Sequence, residues 1–120
     1  MIKFDLTLYL VTDSTGLEEA AFLQKVEAAC RGGVTLLQLR EKERGGREYL
    51  RLARRLKEIT DRYGIPLLID DRVDVAIAAD AAGVHVGRED LPVVEARRLL
   101  GAGKIVGATA KTVEQARQAK

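Results

Sequence analysis

The stretch "LLQLREKERGG", Leu36 to Gly46, begins as a buried strand and then sets Gln38, Arg40 and Lys42 at alternate positions. Side chains of a strand alternate between its two faces, so these three share one face while Leu37, Leu39 and Glu41 share the other. A core strand with polar side chains along one face needs something polar opposite it. The rest of the chain is read from that requirement outward.

Together with "TLLQLR" (35–40), four other short runs read as strands: "LYLVTD" (8–13), "PLLID" (66–70), "GVHVG" (83–87) and "KIVGAT" (104–109). Each is rich in Leu, Ile or Val and is bounded by Gly, Pro or Asp. Helical patterns lie between them. Thr15 with Glu18 has the spacing of a capping box for a first helix carrying Leu17, Ala20, Ala21 and Val26 and ended by "RGG". A second helix shows one stripe, Tyr49, Leu52, Ala53, Leu56, Ile59 and Tyr63, closed by Gly64 and Pro66. A short third helix is expected over 72–80, a fourth from "DLP" through Leu100, and Thr112 with Gln115 caps a fifth. Strict β-α alternation implies right-handed crossovers and a parallel sheet, an α/β fold.

Composition narrows the function classes. The 120 residues are 47% hydrophobic and 32% charged, which describes one folded domain with apolar mass for a core. Twenty Lys and Arg against eighteen Asp and Glu leave a net charge of +2, and the basic residues are scattered along helices, so no nucleic-acid partner is expected. The apolar runs are too short to span a bilayer, and "MIKFDLTLYL" lacks the apolar core and cleavage site of a signal peptide; no membrane association and a cytoplasmic location are expected. The lone Cys30 reads as a small buried helix residue.

In a parallel sheet the strand C-termini emerge on one edge, where open sheets and barrels both place their sites. The polar residues expected there are Asp13, then Gln38, Arg40 and Lys42, then Asp70 and Asp71, Asp90, and finally Thr109 and Lys111. Arg40 and Lys42 are fixed cations suited to a phosphate or diphosphate. Asp71 and Asp90 are hard oxygen donors of the kind that hold Mg²⁺ with substrate phosphates. Jointly they describe a metal-diphosphate site. Taken singly, Asp90 before "LP" reads equally as a helix cap, and Asp70-Asp71-Arg72 as a solvated turn with a local ion pair. His85 is either a satisfied interior histidine, the preferred reading, or a substrate contact, and Asp13 is read as a helix cap.

The blocks "LYLVTD", "QLREK", "LIDDRVDVA", "GVHVGREDLP" and "VGATAKT" resemble, in order and spacing, the N-terminal part of the thiamine phosphate synthase (thiamine-phosphate pyrophosphorylase) family. The resemblance implies a TIM-type barrel, a transferase of thiamine biosynthesis that joins a hydroxymethylpyrimidine diphosphate to a thiazole phosphate with Mg²⁺ and releases pyrophosphate. It implies a largely dissociative reaction in which diphosphate departs and the thiazole nitrogen captures the pyrimidine methyl cation. By the same resemblance Gln38 contacts the pyrimidine, Arg40 and Lys42 hold its diphosphate as catalytic residues, Asp70 lines the pocket, Asp71 and Asp90 are the Mg²⁺ ligands, and Thr109 is a pyrimidine contact. The chain departs from the family pattern at Asp70, where Asn is usual, at Arg88 (Gln), Thr109 (Ser) and Lys111 (His). The related thiazole tautomerases share the fold, but Lys42, Asp71 and Asp90 favour the synthase pattern.

A complete barrel has eight βα units in ~250 residues; residues 1–120 are therefore expected to form a single incomplete barrel of about five units. Open sheet edges and an uncovered inward face are then expected to expose Leu, Ile and Val of "LYLVTD", "PLLID" and "GVHVG". The further expectations are a homo-oligomer and little turnover by the isolated chain. Two other readings are carried forward: a receiver-type phosphoacceptor domain using Asp13, Asp70, Thr109 and Lys111, and a catalytically dead half-barrel binding module.

Overall fold

Outward-facing leucines, isoleucines and valines tie strand to helix throughout the computed structural model, which describes residues 3–119. The elements alternate as β1 (Tyr9–Val11), α1 (Glu19–Arg31), β2 (Leu36–Leu39), α2 (Gly46–Arg62), β3 (Leu67–Asp70), α3 (Val73–Ala78), β4 (Gly83–Val86), α4 (Val93–Leu100), β5 (Ile105–Ala108) and α5 (Val113–Gln118). All five expected strands are present, trimmed by one or two residues at their ends. They form one parallel sheet in the order β1-β2-β3-β4-β5. A receiver-type doubly wound sheet runs 2-1-3-4-5 instead. The sequential order, with α1 packed on α2, α2 on α3 and α3 on α4, is the arrangement of barrel units and excludes the receiver reading.

One face of each strand supplies the main core. Leu37 and Leu39, Leu67 and Ile69, and Val84 and Val86 are buried in one cluster with Phe22, Val26 and Cys30 of α1 and Tyr49, Leu52, Ala53, Leu56 and Ile59 of α2. The stripe expected for α2 is therefore the face it buries, and Cys30 is the buried helix residue expected of it. Gly64, at φ 66°, ends that helix in the left-handed region, where glycine lacks the Cβ clash. Thr112 caps α5 by accepting a hydrogen bond from the Gln115 amide at 3.1 Å.

The first helix starts differently from expectation. Glu18 is its N-cap and no side chain caps it, so the Thr15–Glu18 capping box does not form. Leu17 N donates to Ser14 O at 2.9 Å across a turn with Gly16 at φ 77° in its third position, as a type II turn requires. Helical backbone cannot begin before that turn is complete. Asp13 likewise caps the turn rather than the helix, accepting from Thr15 N at 3.0 Å.

The inward face also corrects an expectation. Leu36, Leu68 and Ile105 are only 1%, 1% and 5% exposed, because they pack on one another across the sheet with Tyr9 and Ala82. Gly83 makes this possible: a Cβ there would lie 2.0 Å from the Ile105 carbonyl oxygen. The expected exposure is met in the first strand run, at Leu8 and the 47%-exposed Val11, with Phe4 and Leu6 before it; Ile77, Leu91, Val94, Leu99 and Val113 are exposed elsewhere. The two outer strands, β1 and β5, each have one partner in the sheet, as expected of open edges. Among the described residues no helix is long and apolar enough to cross a membrane.

Gly83→Ala forces that Cβ into backbone rather than into a yielding side chain. It should destabilise the fold by about 3 kcal/mol, the upper range for overpacking. A urea unfolding curve would measure this, and an unchanged midpoint would contradict the close approach of β4 and β5.

Candidate active site

Inward-pointing residues beyond the Leu36–Leu68–Ile105 layer are polar, and the parallel strands deliver them to one edge. Gln38, Arg40, Lys42, Asp70, Asp71, Asp90 and Thr109, all singled out from the sequence, line a single open cavity of about 370 Å³. Tyr9, Val11, His85 and Gly87 line it as well. Asp13 lies outside, in a neighbouring recess with Ser14, Arg44 and the flanks of Arg40 and Lys42; Lys111 does not line the cavity either.

Lys42 sits between the carboxylates of β3 and its turn. Its Nζ donates to Asp71 Oδ2 at 2.6 Å and lies 2.9 Å from Asp70 Oδ2. Arg40 Nε is 3.9 Å from the same Asp70 oxygen. With three N–H donors the ammonium bridges both carboxylates, and Asp70, only 5% exposed, has the two cations on one oxygen. Asp71 is held at φ 74° by a three-residue turn in which Arg72 N donates to Asp70 O at 2.9 Å, while its own N–H donates to His85 O at 2.8 Å. A left-handed backbone at a non-glycine residue is strained and is kept by its surroundings. Arg72 pairs with Asp74 at 2.7 Å, so the solvated turn with its own ion pair is not what Asp70 and Asp71 form.

Asp90 is not a helix cap. Pro92 occupies that position of α4, and Asp90 Oδ2 accepts from Gly87 N at 2.7 Å, which turns its carboxyl toward Asp71. Burial, then the adjoining Asp71 carboxyl, hold Asp90 above the ordinary aspartate range. For Asp71, burial pushes upward but is outweighed by the hydrogen bonds from the Asp90 carboxyl and Lys42, so it is held below that range. Two facing carboxyls thus oppose each other's ionisation, and Asp90 is the one that holds its proton more tightly. Among the described residues, no three carboxylate, imidazole or thiolate groups are arranged to enclose an ion.

Two features escape the sequence reading. The Tyr49 hydroxyl lies 2.8 Å from both Leu39 O and Asp70 O, pinning the ends of β2 and β3 from behind the site. Burial, then the Asp70 charge, push its ionisation upward, so it remains a donor. A hydroxyl-tipped Tyr49 at the start of the buried α2 stripe, close to the β2 end, was the available signal. The buried Glu41, on the opposite face from Arg40 and Lys42, accepts from Ser14 Oγ at 2.7 Å and from Arg44 Nε at 2.6 Å, joining the loops after β1 and β2. Inside the cavity Gln38 Nε2 donates to Tyr9 Oη at 2.8 Å, and His85 Nε2 and Thr109 Oγ1 are 2.9 Å apart. His85 is therefore half-buried on the cavity wall rather than enclosed. Gly107 leaves room for its ring, since a Cβ there would be 2.8 Å from Nδ1.

The carboxyl pair has a pH signature. An acid whose folded pKa is raised contributes stability that is complete below its unfolded pKa and lost as pH rises through the folded one; Asp90 is this case. Asp71, lowered, contributes stability present above its unfolded pKa and lost as pH falls through the folded value. Asp90→Asn keeps an acceptor for Gly87 and a donor toward Asp71 while removing the opposed charge. The variant should be more stable than the wild type at neutral pH by ~0.5 kcal/mol, a small figure because both carboxyls are partly solvent-screened. That gain should vanish at about pH 3, below the ordinary aspartate pKa. Denaturant curves at both pH values check this, and a variant less stable than the wild type at neutral pH would contradict the mutual opposition of the two carboxyls.

The family model described as thiamine monophosphate synthase matches residues 8–120. Thiamine-phosphate synthase 2 of Streptococcus pneumoniae is 55% identical over 115 residues, which cover 96% of this chain and 55% of the relative. The thiamine-phosphate synthase of Lacticaseibacillus paracasei is 56% identical over 112 residues, covering 93% of this chain and 53% of that one. Among solved structures, a thiamine phosphate pyrophosphorylase from Pyrococcus furiosus matches with a TM-score of 0.85 at 37% identity, over 95% of this chain and 55% of the other. The chain spans about half the length of these relatives. It belongs to the thiamine monophosphate synthase family.

Proposed function

We propose that this chain supplies the pyrimidine-diphosphate side of a thiamine-phosphate synthase, a transferase joining a hydroxymethylpyrimidine diphosphate to a thiazole phosphate. The single observation that carries the reading is the meeting of Arg40 and Lys42 with the Asp71–Asp90 carboxyl pair in one cavity at the strand C-termini. In the reaction the bond from the pyrimidine methylene to the diphosphate oxygen breaks, with the electron pair leaving on pyrophosphate. A bond from the thiazole nitrogen to the same carbon forms. The cations and carboxylates of the cavity suit chemistry that runs by positioning and charge stabilisation.

Arg40 and Lys42, the catalytic residues in this reading, bind the diphosphate and stabilise the charge that grows on it as it leaves. In this reading Gln38 and Thr109 hydrogen-bond the pyrimidine edge, which the contacts of Gln38 with Tyr9 and of Thr109 with His85 support by orienting them. Asp70 borders the diphosphate between the two cations. Asp71 and Asp90 would hold Mg²⁺: they are hard oxygen donors, and two carboxyls that oppose each other's ionisation in one cavity make a place that a cation suits. When bound, such an ion would neutralise charge developing on the leaving group. We read residues 1–120 as one domain, part of a barrel, in a cytoplasmic enzyme of small-molecule substrates. Exposed Phe4, Leu6, Leu8 and Val11 beside an open edge support its association with a further copy.

Arg40→Ala should weaken binding of a pyrimidine diphosphate by ~1.5–3 kcal/mol, the range for a hydrogen bond to a charged group. Asp71→Ala should abolish the Mg²⁺ dependence of that binding. Isothermal titration with and without Mg²⁺ reads both effects. Unchanged affinity in the first variant together with retained metal dependence in the second would refute the assignment.

A further inference from the structure

Asp70 is the buried carboxylate that both cavity cations face. Lys42 Nζ is 2.9 Å and Arg40 Nε 3.9 Å from its Oδ2, and the residue is only 5% exposed. A buried carboxylate depends on such cations for its compensation. Its main chain is pinned. Its carbonyl is held by the Tyr49 hydroxyl at 2.8 Å and by Arg72 N at 2.9 Å, and its Cα lies in register with His85 in the sheet.

An anion entering between Arg40 and Lys42 must therefore share both cations with a fixed carboxylate. We propose that Asp70 makes diphosphate binding conditional on a divalent cation, acting as an electrostatic gate on the cavity; this inference rests on the functional reading above. Without the cation, phosphate oxygens close to Lys42 meet the like charge of Asp70, which offsets much of the attraction of the two basic residues. A divalent ion at the neighbouring Asp71–Asp90 pair compensates that repulsion. Empty and metal-free, the cavity keeps Lys42 neutralised by Asp70 and Asp71 and so disfavours a metal-free diphosphate, which would occupy the site unproductively.

The test is isothermal titration of the protein with inorganic pyrophosphate, with and without Mg²⁺, at low ionic strength so that screening does not mask the effect. Asp70→Asn keeps the side-chain shape and removes the charge. It should raise metal-free affinity by about tenfold and shrink the Mg²⁺ enhancement by a similar factor. A side chain that only braced the fold would shift the melting temperature and would not selectively alter the metal-free affinity. Asp70→Ser provides the same readout should the Asn variant not fold. Metal-free affinity unchanged or lowered in a folded, charge-free variant overturns the gate while leaving the proposed function standing. A wild-type protein that fails to bind pyrophosphate even with Mg²⁺ overturns the functional reading, and the gate with it.

Discussion

The two-residue period of β2 is the constraint on which the rest of the structure depends. Leu37 and Leu39 leave the strand on the side covered by α1 and α2 and anchor the main core, while Leu36, Gln38 and Arg40 leave it on the other. Because all five strands run parallel, the inward series on each ends at the same edge. Its lower layer is apolar, Leu36, Leu68 and Ile105, and its upper layer is polar, Gln38, Asp70, His85 and Thr109. A slip of one residue in β2 would send its leucines inward and its cations into the core. Stability and site placement are thus set by the same alternation, and neither is adjustable without the other.

Charge in the cavity is nearly balanced in the absence of any ligand, and that balance is held from behind. Lys42 is lodged between Asp70 and Asp71; Asp71 faces Asp90; Asp90 is turned by the Gly87 amide. The supporting contacts come from residues that do not enter the cavity. Tyr49 ties the ends of β2 and β3 through their carbonyls, and Glu41 ties the loops beyond β1 and β2 through Ser14 and Arg44. Such buried, hydrogen-bonded supports fix the side chains in front of them far better than exposed ion pairs do. The strained φ of Asp71 belongs to this set, since its backbone is bonded on both sides.

Most of the architecture was legible because it rests on period and punctuation. The five strands, the α2 stripe from Tyr49 to Ile59, the Gly64 stop and the Thr112 cap follow from residue spacing alone. So did the meeting of Gln38, Arg40, Lys42, Asp70, Asp71, Asp90 and Thr109, because parallel topology collects strand ends. What was illegible depends on backbone conformation and on three-dimensional neighbours. Thr15 and Glu18 carry a capping box in sequence, but the Gly16 turn uses that backbone first. The inward leucines are covered because Gly83 allows β5 to come close, which no spacing rule announces. Tyr9 and His85 are ordinary strand residues until the register sets them beside Gln38 and Thr109. Asp tolerates a positive φ better than most residues, but only the turn between β3 and α3 shows that Asp71 adopts one.

That one cavity holds a diphosphate through paired cations and a metal through paired carboxylates is most directly tested by a crystal structure grown with Mn²⁺ and pyrophosphate, with anomalous scattering locating the ion. The expected result is an anomalous peak bonded to Asp71 and Asp90, with phosphate oxygens on Arg40 and Lys42 and Asp70 beside them. A peak elsewhere, or pyrophosphate bound away from Arg40 and Lys42, would contradict it.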